Sequence, residues 1–282
     1  MKIQAGMGPM NRMAAAVLLL APGCALAQIA PNLGTTGPFG VVSSTYTNSN
    51  TAPQTLINGS VCFTTPPVTP PLGITGATIT PCPPQTGIDQ TAALAVLNGQ
   101  PCTFLGAGAI ALDALVIGAN PPGIIPPGCY FNGGAMNITA TTTVTLNGPG
   151  VYIFRPGGAL NTGANSQVIL AAGACASDVY WAPAGAATLG ANAAPSLVTP
   201  TFVGNILAAA GVTIGQFANL TGRALAFGGT VTTDANTISV PTCAAFGAGS
   251  ASPTPTLSQW SMILLSLLLA TAGFVAMRRR AR

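Results

Sequence analysis

Histidine and glutamate are absent from this chain, and charge of either sign is scarce, at 4% of 282 residues. Most acid–base and nucleophilic catalysis draws on His, Glu or paired carboxylates, so the usual enzymatic groups are largely missing. The four acidic residues, Asp89, Asp113, Asp178 and Asp234, are widely spaced and form no candidate acid–base pair in sequence. The enzymatic alternative is a parallel β-helix polysaccharide lyase or hydrolase in which Asp113, Asp178 and Asp234 meet in space. Isolated Asp residues at such corners more commonly cap turns. The reading is therefore non-enzymatic, with no catalytic residue and no cofactor assigned.

The formal charge of +4 comes from the two ends. Lys2 and Arg12 open the chain and Arg278, Arg279, Arg280 and Arg282 close it, while the body holds only Arg155 and Arg223 against the four Asp. A body of that kind has no basic patch for phosphates, which excludes nucleic acid as a partner.

What the chain does have is glycine, proline, threonine and small apolar residues. Gly and Pro, at 35 and 25 residues, would suit disorder if they were not organised. They are organised by repetition. Gly133-Gly134-Ala135-Met136-Asn137 recurs as Gly157-Gly158-Ala159-Leu160-Asn161, and Gly128-Cys129-Tyr130 as Gly150-Val151-Tyr152. Gly163-Ala164-Asn165 is echoed by Gly190-Ala191-Asn192, and Gly204-Asn205-Ile206-Leu207-Ala208 by Gly222-Arg223-Ala224-Leu225-Ala226. Short β-rich units with Gly and Asn at the corners predict coils of an all-β solenoid, in which each coil buries its apolar face on the next.

Residues 1–27 have the form of a secretory signal: a basic start, an apolar run from Met13 to Ala21, and Ala25-Leu26-Ala27 before the cut. Cys24 offers a lipoprotein reading, which Pro22 disfavours. Six cysteines remain: Cys62, Cys82, Cys102, Cys129, Cys175 and Cys243. In an exported chain an even number implies disulfides, and their order suggests 62–82, 102–129 and 175–243. Zinc is the competing reading, but no Cys-x-x-Cys pair and no His accompany them, so no metal site is assigned. The prolines from Pro66 to Pro84 exclude long central strands there. Gly87 to Asn98 is the one predicted helix, capped by Asp89 and ended by Gly99, and Ile110 to Ile117 reads as a strand.

A linker composition at 247–255 separates the 28–246 body from a C-terminal segment, 256–282. Ser261 to Met277 is largely apolar and uncharged, just long enough to span a bilayer, with Trp260 at one interface and the arginines at the cytoplasmic side. An amphipathic surface helix is disfavoured because the segment has no polar face. Pro255, Thr256, Leu257, Ser258 and Trp260, followed by the apolar span and the arginines, resemble the IPTL-type sorting signal of Gram-negative bacteria. The usual Ile is missing and Gln259 stands for the commoner Glu. The resemblance implies export to the cell surface or beyond, transient anchoring in the inner membrane, and processing by an exosortase-type transpeptidase.

The body resembles the ice-binding-protein-like domain of bacteria and fungi. Leu33-Gly34, Phe39-Gly40-Val41, Pro127-Gly128-Cys129-Tyr130, Gly150-Val151-Tyr152-Ile153-Phe154, Cys175-Ala176-Ser177-Asp178-Val179-Tyr180-Trp181 and Leu220-Thr221-Gly222-Arg223-Ala224-Leu225-Ala226 carry the likeness. It implies a right-handed, irregular, triangular β-solenoid with one short helix alongside. Some members of that family bind ice through Thr-(Ala/Gly)-x-(Thr/Asn) on successive coils. The matching positions here are Thr75 and Thr78, Thr139 with Thr141 and Thr142, and Thr162 with Asn165. The expected partner is an ice surface. The other class is a structural or adhesive surface protein engaging extracellular polysaccharide, for which Tyr152, Phe154, Tyr180 and Trp181 are the groove candidates, though all fit better as core.

Overall fold

The structure is a computed structural model and describes residues 28–49, 51–194 and 201–242. The predicted signal segment, Cys243, the linker, the sorting motif and the predicted membrane span lie outside these residues. Among the described residues no helix is long and apolar enough to cross a membrane.

Almost every strand is paired in parallel with the equivalent strand of a neighbouring coil, and the pairings form three faces. Face A stacks, in spatial order, Thr103–Gly106, Gly128–Asn132, Tyr152–Pro156, Val179–Trp181, Phe202–Leu207, the first half of Leu220–Thr233, the first half of Phe39–Asn48, Ser60–Phe63 and Thr78–Ile79. Face B stacks Ile110–Ala111, Met136–Ile138, Leu160–Thr162, Ala187–Leu189, Val212–Ile214 and the second halves of the same two long strands. Face C holds Ile124–Ile125, Thr143–Asn147 and Gln167–Ala171, and further along Thr237–Ser239, Leu56–Asn58 and Gly73–Ile74. Spatial order is thus not chain order. The N-terminal coils dock on the C-terminal one, Val41 opposite Ala224, and continue the stack beyond it.

The repeats explain the stacking. Met136 lies opposite Leu160 and Gly204 opposite Gly222, as the repeated units predict. The aromatic repeat is offset instead: Tyr130 pairs with Phe154 rather than Tyr152. The two-residue offset keeps both side chains inward, because strand side chains alternate with period two. Tyr130, Phe154, Trp181 and Phe202 then stack through successive coils, the Phe154–Trp181 centroids 4.1 Å apart. Each repeat tyrosine closes its own corner, its hydroxyl donating four residues back: Tyr130 to the Pro126 carbonyl (2.7 Å) and Tyr152 to that of Gly148 (2.6 Å). At the Gly204–Gly222 rung the backbones touch. A Cβ on Gly222 would lie 1.8 Å from the Gly204 carbonyl oxygen, so only glycine fits.

The helix α1 is Pro84–Asn98, longer at its start than predicted. Pro84 at its first position needs no hydrogen-bond partner for a missing N–H, which is why the proline run ends in a helix. Asp89 is not its cap: it lies inside the helix and accepts the Thr35 N–H and hydroxyl, both at 2.7 Å. Gly99 ends the helix in right-handed geometry, its N–H on Ala95. The run from Ile110 gives only a two-residue strand before a 3-10 turn, Leu112–Ala114.

Ala93 and Leu97 of α1 bury the outward side of face A, where Cys129, Ile153, Tyr180, Leu207, Leu225, Val42 and Cys62 project. Two disulfides pin the helix at both ends, Cys62–Cys82 before it and Cys102–Cys129 after it. Each adds about 2–4 kcal/mol by restricting the unfolded chain. Cys175 is also disulfide-bonded, and its expected partner, Cys243, is outside the described residues.

Candidate functional site

Of the three faces, A is covered by the helix. Among the described residues nothing covers face B, and most of its outward side chains fall into one column. The register places Asn137, Asn161, Thr188, Thr213, Thr232 and Thr47 on six consecutive strands. Their neighbours in the strands, Met136, Leu160, Ala187, Val212, Val231 and Tyr46, point inward and are buried. At ~4.8 Å per strand the column runs about 24 Å. A second column begins beside it with Thr230 and Thr45. None of the strand segments that make up face B carries a charged residue.

Hydrogen bonding along the column is graded. Asn161 Nδ2 donates to Asn137 Oδ1 at 3.1 Å. At the other end the hydroxyls of Thr47 and Thr232 pair at 3.1 Å and those of Thr45 and Thr230 at 2.6 Å. Thr188 and Thr213, in the middle, are exposed and their hydroxyls face solvent with no bond to the described protein. Behind the Thr47 end the Tyr46 hydroxyl pairs with Thr233, whose hydroxyl also donates to Asn48 Oδ1 at 3.2 Å. Burial pushes the Tyr46 phenol up to about 12, against the opposing effect of the Thr233 hydrogen bond. The backing of the column is therefore dry and neutral.

The threonines predicted from the Thr-(Ala/Gly)-x-(Thr/Asn) pattern sit elsewhere. Thr139, Thr141 and Thr142 stack on the Thr162–Asn165 segment, but at the corner between faces B and C and not with Thr139 opposite Thr162. Ile138 lies opposite Thr162 instead. Thr141 and Asn165 are both left-handed, at φ 62° and 56°. Several of these polar groups are engaged in the corner itself. Thr141 Oγ1 donates to the Ala140 carbonyl, Thr142 Oγ1 to that of Thr139, Thr162 Oγ1 accepts the Gly190 N–H, and Asn165 Oδ1 accepts that of Ala193. Thr75 and Thr78 are not brought to this group. They belong to the terminal coil, Thr75 Oγ1 accepting the Gly59 N–H at 3.1 Å and Thr78 on the last strand of face A.

The column residues were missed because their sequence signal is faint: a single Thr or Asn between apolar neighbours, as in Ala187-Thr188-Leu189 and Val212-Thr213-Ile214. The proposed groove aromatics Tyr152, Phe154, Tyr180 and Trp181 are all buried. Asp113 accepts the Thr139 N–H at one end of the stack, Asp178 is buried before Val179–Trp181, and Asp234 follows the long strand Leu220–Thr233. These three do not converge. Among the described residues no three His, Cys, Asp or Glu side chains are grouped to hold a metal.

A parallel, three-faced stack with a helix at its side resembles the fold of solved ice-binding proteins. The sequence pattern described as "Ice-binding-like" matches residues 32–239, and the chain belongs to that family. The IPTL-CTERM motif matches residues 253–279. An ice-binding protein of Flavobacterium frigoris is 34% identical over 137 residues, covering 48% of this chain and 47% of that protein. Ice-binding protein 1 of Shewanella frigidimarina is 38% identical over 110 residues, 37% of this chain and 12% of that one. The chain thus spans half or less of the length of these curated relatives. The crystal structure of an ice-binding protein from an Antarctic biological consortium superposes with a TM-score of 0.63 at 25% identity, covering 77% of this chain and 93% of that one. The sorting motif and these relatives support an exported or cell-surface protein.

Proposed function

We propose that this protein binds ice through the open face B, and that its sorting tail delivers it to the cell surface for that purpose. The observation that carries the reading is the uninterrupted column from Asn137 to Thr47 on an uncharged, uncovered face. Each threonine offers one hydroxyl and one methyl at a spacing set by the strand ladder, so water held between rungs repeats with the protein's own period. Ordered water of this kind acts as part of the contact. The absence of charge matters equally, because an ionic group organises water around itself rather than along the row. Parallel pairing on both sides keeps each rung rigid, so little order is lost when the surface meets a crystal.

The test is thermal hysteresis and ice recrystallisation inhibition on residues 28–252. Thr188→Tyr and Thr213→Tyr are compared with the corner changes Thr139→Tyr and Thr142→Tyr. Loss of activity in the first pair with an unchanged melting temperature supports face B. Loss only in the corner pair would move the site to the B–C corner, and inactivity of the unsubstituted protein would sink the ice reading altogether. Export is tested separately: Trp260→Ala should leave the tail on the protein and hold it in the membrane fraction.

A further inference from the structure

One corner of face A escapes the helix. Cys82 ties the start of α1 to Cys62, in the outward column that runs Leu207, Leu225, Val42, Cys62. Cys102 ties its end to Cys129, in the column of Ile153 and Tyr180 two residues away. The helix therefore crosses the face obliquely and does not cover the far end of the first column. That end consists of Arg155, Phe131 and Phe104 on three successive strands.

These side chains form a ladder. The Phe104 and Phe131 rings are 5.8 Å apart, the Arg155 guanidinium lies 5.4 Å from the Phe131 centroid, and Phe104 is 61% exposed. Arg155 is held in place: Nη1 donates to the Gln100 carbonyl at 3.2 Å and to Cys102 Sγ at 3.3 Å. Its Nε is enclosed without a partner, which leaves Nη2 as the nitrogen neither hydrogen-bonded nor enclosed. No carboxylate pairs with it among the described residues. Partial burial lowers the guanidinium's proton affinity without threatening a charge that starts so high. A partly buried cation with no acid beside it among the described residues, next to the exposed Phe104 ring, is electrostatically incomplete.

We propose that Phe104, Phe131 and Arg155 form a second binding site, for an acidic polysaccharide bearing uronate carboxylates. The apolar C–H face of a pyranose ring stacks on Phe104, and a carboxylate of the same or the next sugar accepts from Arg155 Nη2. A peptide adding to the free edge of Thr103–Gly106 fits less well. The register shifts between Phe104 and Gly106, and Pro101 precedes, so only a stub of edge is available. So small a site binds a single chain unit weakly and gains strength from many copies along a polymer. The site lies away from face B, so a protein holding matrix polysaccharide here keeps its Thr/Asn column free.

The experiment is affinity electrophoresis of the full chain in mild detergent through gels containing polygalacturonate or neutral dextran. Phe104→Ala and Arg155→Gln are compared with the unsubstituted protein. The arginines at 278–280 attract polyanions in every variant, so the readout is the difference between variants. Retention by polygalacturonate is expected to fall roughly tenfold in Arg155→Gln, the effect of losing a charge-assisted hydrogen bond, and clearly in Phe104→Ala. Dextran should retard none of them, and ice recrystallisation inhibition should be unchanged. Phe104→Ala alters only an exposed ring, so it decides the matter should Arg155→Gln fold poorly. Equal retention of unsubstituted protein and Phe104→Ala overturns the proposal, as does a Phe104→Ala effect confined to self-association in sedimentation.

Discussion

Faces A and B are built by the same coils, yet one is buried on both sides over most of its length and the other on one. The difference lies in the outward positions of their strands. Tyr152-Ile153-Phe154 and Val179-Tyr180-Trp181 are apolar throughout, the pattern of a strand covered on both sides. Ala187-Thr188-Leu189 and Val212-Thr213-Ile214 alternate, the pattern of a strand with one wet side. Outward residues on face A thus contribute to stability through α1, whereas those on face B are free to serve a ligand.

The sharpest way to break this comparison is a matched pair of truncations. Leu225, fully buried between face A and α1, should lose about 2–5 kcal/mol on Leu225→Ala, from lost burial and the cavity left behind. Thr213→Ala, at an outward position of face B on the neighbouring coil, should change stability by no more than about 0.5 kcal/mol. Chemical denaturation of both variants checks it. Equal losses would mean that face B is also structurally loaded.

A second effect is set by pH and tests both faces at once. Burial raises the phenols of Tyr46, behind face B, and Tyr180, under α1, to about 12 each, and that of Tyr130 in the core to about 12. A raised pKa means that the folded state favours the neutral phenol. The corresponding stability is complete below pH 10 and is lost as pH climbs from 10 towards 12. Tyr46 and Tyr180 then each lose at most about 1.4 kcal/mol for every pH step of one across that window, and Tyr130, more open to solvent screening, loses less. The chain has no histidine, so melting temperature should be nearly flat from pH 6 to 9 and then fall. Tyr180→Phe and Tyr46→Phe should each reduce the alkaline loss, and a titration that begins below pH 9 in either would contradict the burial on that face.

How much of this could be read from the sequence follows from distance along the chain. Neighbouring coils betray themselves through local repeats, so the solenoid and the Gly204–Gly222 rung were legible, and the order of the cysteines suggested Cys62–Cys82 and Cys102–Cys129. The docking of Val41 against Ala224 was not, because strands so far apart share no repeat unit. The site was harder still. Choosing which threonines face outward needs the register to the residue, since a one-residue slip reverses every side chain. The Thr139–Thr142 and Thr162–Asn165 motifs look alike in sequence when Thr is aligned with Thr. The structure places Ile138, not Thr139, opposite Thr162 and turns the motif into a corner.

The smallest expected effect separates the helix's role as a cover from its role as a tether. Asp89 is exposed in α1 and grips Thr35 through both backbone and hydroxyl, with Gln85 Nε2 donating to its other oxygen at 2.7 Å. The Thr35 N–H holds the carboxyl below its usual range, the Thr35 hydroxyl and Gln85 adding to the effect. A depressed carboxylate contributes stability that is present above its unfolded pKa and fades as pH falls through the folded one. Asp89→Asn should therefore remove a slight acid-side dependence below about pH 4. It should also speed amide exchange around Thr35 while leaving exchange at Leu97 unchanged. If Leu97 exchanges faster as well, the hold of α1 on face A depends on this polar contact and not on its buried apolar side.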